Sequence, residues 1–388
     1  MIPGKSPAVS ASAPRPVTFS RVVSFASVVF CGVLPVFALV GLFASTIQDD
    51  AVAFDFRPFY AAAGAVLRGE TPYPSPGDPL RASSGAYVYP PLPAIGAIPF
   101  RVLPLEVAGL VVMALLAAAA LAIPFVLGVR DWRCYGLVCL WPPVLSAIQT
   151  GNLTLFLALA AALAWRFRDR ALASSAYVGV TLAAKFFLWP LVVWLAATRR
   201  LVAAGLACAV GIGLLFLSWA AIGFAGLGDY VDLMRRLEES VGSDSYTTYI
   251  VALDLGMSST IARAMWLVLG LGLLAAVVAV GLRGDERTAF ILAIATALAL
   301  TPIVWLHYFA LLVVVVALGQ PKLGVAWFVP LAMVVTPGSG HPTPFETAAT
   351  LAVAALTIAL ALRASVGGVR PVGSDPEPAP IRAPARAA

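Results

Sequence analysis

Long apolar runs recur along almost the whole chain, and they restrict the fold more than any other feature of the sequence. Hydrophobic residues make up 61% of the 388 residues and charged residues only 11%, against about 25% charged in a typical soluble domain. Inside a bilayer the backbone has to satisfy its own hydrogen bonds, so runs of this kind form transmembrane helices. The sequence therefore predicts an all-α, polytopic membrane protein.

The lengths of the runs predict how many times the chain crosses the membrane. A hydrocarbon core of about 30 Å needs roughly 20 apolar residues per helix, which gives about twelve spans here. We place them at 22–45, 105–128, 134–148, 152–165, 171–184, 186–198, 201–222, 260–282, 288–302, 305–319, 323–337 and 345–363. This divides the chain into a cytoplasmic N-terminal tail (1–20), an integral membrane domain (21–364) and a disordered cytoplasmic C-terminal tail (365–388).

The distribution of charge fixes the expected orientation. With the N-terminus inside, most of the 25 lysines and arginines fall on the inner side of the predicted spans. The acids are concentrated in two long outer segments, which begin after the first span and near Gly223. This is the pattern of the positive-inside rule. We therefore expect a multi-pass protein of the cell membrane whose functional groups face the periplasmic or extracellular side.

The first outer segment contains an acid in an aromatic frame, "AFDFRPFYAAAGAVLRGETPYP" (53–74). After Asp55, apolar residues recur at helical spacing until Gly69, which predicts a short helix lying on the membrane surface. Asp55 is then either the N-cap of that helix or a general base held at the lipid–water boundary. Arg57 and Tyr60 follow it on the same helix.

Other polar residues fall at the predicted outer ends of spans, and each has a structural as well as a functional interpretation. Lys185 is either a lysine that reaches the interface with its ammonium or a phosphate ligand. His307 is either a buried structural histidine or part of a site. Gln149 and Asn152 are explained by turn chemistry or by sugar binding. Tyr89 and Tyr246 offer hydroxyl groups in the outer segments; Tyr89 also fits an interfacial aromatic belt.

Several chemistries are disfavoured by what the sequence lacks. It contains no GxxxxGK[ST], no GxGxxG opening a helix and no HExxH, and only two histidines. We therefore expect no cofactor, no bound metal and no nucleic-acid partner.

The order of the motifs resembles glycosyltransferase family 87, enzymes of the membrane-embedded GT-C class. The matching pieces are "FDFRPFYAAAGAVLRGETPY", "YVYPPLPA", "TGNLTLF", "AAKFFLWPL" and "LTPIVWLHYFALL". They cover roughly residues 50 to 320. The first two, an acid with its Gly-terminated helix and then "YPPL", are the most specific.

The resemblance implies a helical bundle of GT-C type that moves a hexose, most often mannose, from a polyprenyl-phosphate donor to an outer glycan or glycolipid acceptor. Asp55 takes the position of the family's catalytic acid. Lys185, Arg57 and His307 are then expected near the donor phosphate. Tyr60, Tyr89, Gln149, Asn152 and Tyr246 are expected to contact the acceptor or the sugar.

A secondary transporter or lipid flippase is the alternative, since about twelve spans with outward polar groups also suit such a protein. Transporters place ionisable groups or broken helices near the bilayer midplane. Here the ionisable residues gather at one predicted face, which favours the enzyme.

Overall fold

The computed structural model describes residues 24–48, 52–78, 86–336 and 342–366, and every regular element in these residues is a helix. The α-helices are α1 (Ser24–Gln48, with a π-helical turn at Val29–Val33), α2 (Arg57–Leu67), α3 (Pro91–Gly96), α4 (Leu105–Val126), α5 (Trp132–Val138), α6 (Pro142–Thr150), α7 (Thr154–Arg166), α8 (Ala171–Ala184), α9 (Pro190–Ala197), α10 (Leu201–Ala221), α11 (Tyr230–Val241), α12 (Thr248–Asp254), α13 (Ser259–Leu282), α14 (Glu286–Leu300), α15 (Leu312–Gly319) and α16 (Pro344–Val366). Short 3₁₀ segments lie at Phe54–Phe56, Ile98–Val102, Phe186–Leu188, Gly242–Asp244, Leu306–Leu311, Val325–Trp327 and Val329–Val335.

Five helices in the described residues, α1, α4, α10, α13 and α16, are long and apolar enough to cross a membrane. The pair α6 and α7 would add one span if counted together, although the two helices meet at a bend of 118°. The all-α polytopic fold is therefore confirmed, whereas the predicted number of spans and the GT-C architecture stay predictions.

Several predicted spans are interrupted by proline. Proline lacks an N–H and disfavours the helical conformation of the residue before it. The predicted span 134–148 is two helices, because α5 ends at Val138 and α6 begins at Pro142. Likewise, 186–198 is a 3₁₀ turn followed by α9, which begins at Pro190. By contrast, α8 has the predicted bounds 171–184.

Glycines allow α8 and α10 to pack closely. A Cβ added to Gly179 would lie 2.6 Å from a methyl carbon of Val210, and one added to Gly211 would lie 3.0 Å from the Cβ of Leu182. Small residues at such crossings are the usual basis of tight helix packing in membranes.

A network of ion pairs marks one end of the bundle. The Glu286 carboxylate at the start of α14 accepts from Arg168, after α7, at 3.0 Å and pairs with Arg200, before α10, at 2.9 Å. Arg200 also pairs with Asp169 at 2.7 Å. These ion pairs join the loops that carry Arg168, Arg200 and Glu286. The three loops therefore lie at the same end of the bundle.

The predicted tails lie almost entirely outside the described residues. All of 1–20 is outside them, and of 365–388 only Ser365 and Val366 are inside, where they end α16.

Candidate functional site

Asp55 lies in the 3₁₀ turn Phe54–Phe56 that leads into α2. The turn follows Ala53, whose φ of 47° places it in the left-handed region. The N-cap of α2 is Phe56 and carries no side-chain capping bond, so the Asp55 carboxylate is not the cap of this helix. Its side chain is 22% exposed. The carboxylate is thus partly buried and directed toward other elements.

Asn152 binds the Asp55 carboxylate. Its amide Nδ2 donates to Oδ2 of Asp55 at 2.8 Å, and its Oδ1 accepts from both the backbone N–H and the hydroxyl of Thr154, at 3.0 and 2.8 Å. Only an oxygen can accept from the Thr154 N–H, so the amide NH₂ has to face Asp55. Gly151, with φ of 72°, makes the turn between α6 and α7 that points this side chain inward.

Lys185 lies between α8 and the 3₁₀ turn that follows it, and its own backbone conformation is extended. Its ammonium donates to the Tyr89 hydroxyl at 3.4 Å and lies 4.0 Å from the centre of the Tyr308 ring and 5.0 Å from that of Tyr89. Cation–π contacts stabilise a cation that has lost part of its water. Lys185 is therefore a half-buried cation with donors left for an anion.

His307 completes the group from the 3₁₀ segment Leu306–Leu311. Its Nδ1 lies 4.0 Å from Oδ2 of Asp55, and its ring lies 5.1 Å from that of Tyr308. The residue is 4% exposed, and its Nε2 is buried with no hydrogen-bond partner in the described part of the chain. We refer to Asp55, Tyr89, Asn152, Lys185, His307 and Tyr308 as the Asp55 cluster.

The pKa of Asp55 is set by opposing effects. Burial raises it above its usual value, because a low dielectric disfavours the charged form. The hydrogen bond from Asn152 and the positive charge of Lys185 act in the opposite direction and favour the carboxylate. Tyr308 connects the two charged groups, because its ring lies 4.0 Å from the Lys185 ammonium and 5.1 Å from the ring of His307, whose Nδ1 is 4.0 Å from Asp55.

The remaining predicted residues lie around or away from this cluster. Arg57 Nε donates to the Val52 carbonyl at 3.4 Å. The Tyr60 hydroxyl donates to the Leu103 carbonyl at 2.8 Å, which ties α2 to the start of α4. Gln149 is exposed. Tyr246 is buried, packs edge-on against Phe309 and lines an apolar cavity rather than the Asp55 cluster.

Tyr308 and Thr154 belong to the arrangement but were not among the predicted site residues. Tyr308 makes the shortest cation–π contact to Lys185, and Thr154 fixes the Asn152 amide. Tyr308 could have been proposed from its place next to His307 in "WLHY". Thr154 carried no signal apart from its position two residues after Asn152.

The cluster lies at the end of the bundle opposite the ion pairs of Glu286. Helices α7 and α8 pack together and are joined by a short turn, so the start of α7 and the end of α8 lie at the same end. Asn152 precedes α7 and Lys185 follows α8. Helix α14 begins at Glu286 and runs about 20 Å before the segment that carries His307.

Fold and cluster together define a polytopic helical membrane protein with a polar, partly buried candidate site at one end of its helices. Residues 87–302, more than half of the chain, match Glycosyltransferase family 87. The chain therefore belongs to glycosyltransferase family 87, and it is a membrane glycosyltransferase. No match was found to a curated protein or to a solved structure.

The family match begins after Asp55 and ends before His307. Tyr89, Asn152 and Lys185 fall inside it, and Tyr308 lies outside it with Asp55 and His307. Asn152 donates to Asp55, and the Lys185 ammonium lies 4.0 Å from the centre of the Tyr308 ring. The Asp55 cluster thus joins the matched region to both of its flanks.

Proposed function

We propose that the protein transfers a hexose, with mannose as the first candidate, from a polyprenyl-phosphate donor to a glycan or glycolipid acceptor outside the cytoplasm. The reaction is a single displacement that inverts the anomeric carbon, with Asp55 as general base. The observation that carries the proposal is the partly buried Asp55 carboxylate, which accepts from Asn152 and lies 4.0 Å from His307. The His307 ring packs against Tyr308, and the Lys185 ammonium lies 4.0 Å from the centre of that Tyr308 ring.

In this mechanism the acceptor hydroxyl oxygen forms a new bond to the anomeric carbon while its proton passes to Asp55. The bond between that carbon and the phosphate oxygen breaks, and its electron pair leaves with the polyprenyl phosphate. A phosphate is a stable anion, so no general acid is required. Positive charge near the departing oxygens lowers the barrier, and Lys185 is the proposed source, with His307 and Arg57 as further candidates.

A lipid-linked donor suits the proposed outward orientation. Nucleotide sugars are cytoplasmic, whereas a sugar on a polyprenyl phosphate can be presented on the outer side of the membrane. The tail would lie among the apolar helices and hold the reacting carbon at the depth of Asp55. Holding the two reactants in this way contributes a large part of the rate enhancement.

The experiment is a transfer assay with membranes or purified full-length protein, polyprenyl phosphate carrying radiolabelled mannose, and a panel of glycan and glycolipid acceptors. We expect transfer by the wild type and its loss in Asp55→Asn, which keeps the shape of the side chain but removes its basicity. Loss of a general base lowers rates by about 10²- to 10⁴-fold.

Asp78→Asn is the matched control, because Asp78 is an exposed acid in the same segment, and its carboxylate accepts from the Ser75 N–H. Both variants should be produced at the wild-type level. Equal transfer by Asp55→Asn and the wild type would remove Asp55 as the base. Transfer from a nucleotide sugar but not from the lipid-linked donor would overturn the proposed donor class.

A further inference from the structure

A second cavity opens between the outer segments and the start of α13, away from the Asp55 cluster. It has a volume of about 280 Å³ and is lined by Glu238 of α11, Tyr249 of α12, Arg263 and Trp266 of α13, and Pro302 after α14. Three consecutive helices and the segment after α14 thus contribute to one recess that contains two charged side chains.

The lining groups are those that bind sugars. A carboxylate accepts from hydroxyl groups, a guanidinium donates to them, and aromatic rings pack against the C–H face of a pyranose. Glu238 and Arg263 face the same cavity, yet no ion pair joins them in the described part of the chain. Both residues are exposed, so their charged groups are accessible to a neutral ligand that hydrogen-bonds to both.

Trp266 adds an aromatic face. The residue is half-buried and lines the cavity together with Arg263. Its indole nitrogen is itself inaccessible to solvent, so the ring is the part of the side chain that a ligand in the cavity can contact.

The cavity lies on the same side of the bundle as the Asp55 cluster. Pro302 precedes His307 by five residues, so their backbones are at most about 18 Å apart. The Pro302 carbonyl accepts from the Ser245 hydroxyl at 3.4 Å, and this hydroxyl also accepts from the Val304 N–H at 2.7 Å. The wall of the cavity is therefore fastened to the segment that continues to His307.

We propose that this cavity binds a sugar unit of the acceptor glycan that lies away from the reacting hydroxyl. That the bound sugar belongs to the acceptor rests on the proposed function. That the cavity binds a saccharide does not. Contacts to a remote unit of the substrate add binding energy that is equal in the ground state and the transition state, and they set which acceptor length is used.

Binding is measured directly, on purified full-length protein without donor. The probes are methyl α-D-mannopyranoside and an α-linked mannobiose, titrated by calorimetry in a detergent that carries no sugar headgroup. Glu238→Gln and Arg263→Gln should each weaken mannobiose binding about tenfold, which corresponds to one hydrogen bond to a charged group. Trp266→Ala, which removes the aromatic face, should also weaken it.

Two control variants are matched in chemistry and position. Glu239→Gln changes the neighbouring exposed acid on α11, and Arg283→Gln changes an exposed arginine at the other end of α13; neither residue lines the cavity. The controls should bind the probes as the wild type does. Equal affinity of Glu238→Gln and Glu239→Gln would overturn the proposal. So would binding of glycerol phosphate in place of mannobiose, because that result assigns the cavity to lipid headgroups.

The binding result can be interpreted even if the proposed transfer reaction is wrong, because the titration needs neither a donor nor turnover. In the transfer assay, the cavity variants should raise KM for acceptors of two or more sugars and leave kcat within about twofold, as expected for uniform binding. A loss of kcat alone would contradict a remote subsite.

Discussion

At the residue scale, the Asp55 carboxylate is subject to two opposing influences. Burial raises its pKa, and the Asn152 amide and Lys185 ammonium favour its charged form. A base that is moderately strengthened by burial and kept ionised by fixed neighbours suits proton abstraction from a sugar hydroxyl. Asn152 acts here through Asp55, so it is a positioning residue in our proposal. This differs from the sugar contact expected from sequence, which stays a prediction.

The pH dependence of transfer should report this balance. A general base works in its deprotonated form, so kcat/KM should fall as pH drops through the raised pKa of Asp55, above the usual aspartate range. Asn152→Ala removes a bond that favours the carboxylate, and the acidic limb of the profile should move to higher pH. Pre-steady-state transfer rates over a pH series measure both. If the acidic limb is unchanged in Asn152→Ala, then Asn152 does not influence the protonation of the general base.

Lys185 should matter mainly for the donor. Lys185→Ala removes the half-buried ammonium beside Tyr89 and Tyr308, and kcat/KM for the lipid-linked donor should fall about 10- to 100-fold. Lys322→Ala, at an exposed lysine, is the control and should leave the rate unchanged. Initial rates at varied donor concentration distinguish the two. A normal donor dependence in Lys185→Ala would exclude a role at the phosphate.

At the element scale, the sequence predicted helices well where apolar runs are uninterrupted and less well where proline divides them. The bounds of α8 match the prediction, and α10 and α13 differ from it by one residue at a terminus. The helix predicted after Asp55 is present as α2, and its place on the membrane surface stays a prediction. Hydropathy alone could not reveal the break before Pro142 or the 3₁₀ geometry of 306–311, because both depend on backbone sterics and neighbouring elements.

The turn between α6 and α7 is predicted to need glycine at position 151. Its φ of 72° disfavours any residue with a Cβ, and a Cβ there would lie 2.8 Å from the Cβ of Ala53 and 3.0 Å from that of Phe56. Gly151→Ala should therefore move the turn away from Ala53 and Phe56, which flank Asp55. We expect lower transfer and lower thermal stability. The midpoint of thermal unfolding and the transfer rate are the measurements.

Gly69→Ala distinguishes backbone strain from steric contact. Gly69 has a similar φ of 74°, but no atom lies within 4 Å of a Cβ added there. That variant should lose about 1–2 kcal/mol of stability and keep its transfer rate at saturating substrate. If both variants lose the same stability and activity, then the effect of Gly151→Ala does not come from contact with Ala53 and Phe56.

At the scale of the whole molecule, the candidate site is assembled from the first outer segment, the α6–α7 turn, the end of α8 and the segment after α14. Alternation of inner and outer loops predicted that these segments face one side, and the packing of α7 on α8 brings two of them to one end. Which of them touch depends on helix packing, so the sequence could not place Tyr246 apart from the cluster. The Asp55 cluster lies at an end of the bundle, whereas transporters place ionisable groups or broken helices near the bilayer midplane, which favours an enzyme.

The orientation of the bundle is testable without activity. We expect the first outer segment and the end of α13 to lie on opposite faces, as the positive-inside pattern requires. Ser75→Cys and Arg283→Cys each place a thiol at an exposed position, and three of the four native cysteines are buried. A membrane-impermeant thiol reagent applied to right-side-out vesicles should label only Ser75→Cys, and inside-out vesicles should reverse this, with the wild type as background. Labelling of both positions from one side would place the α13 terminus beside the Asp55 loop, and the outward-facing site would have to be abandoned.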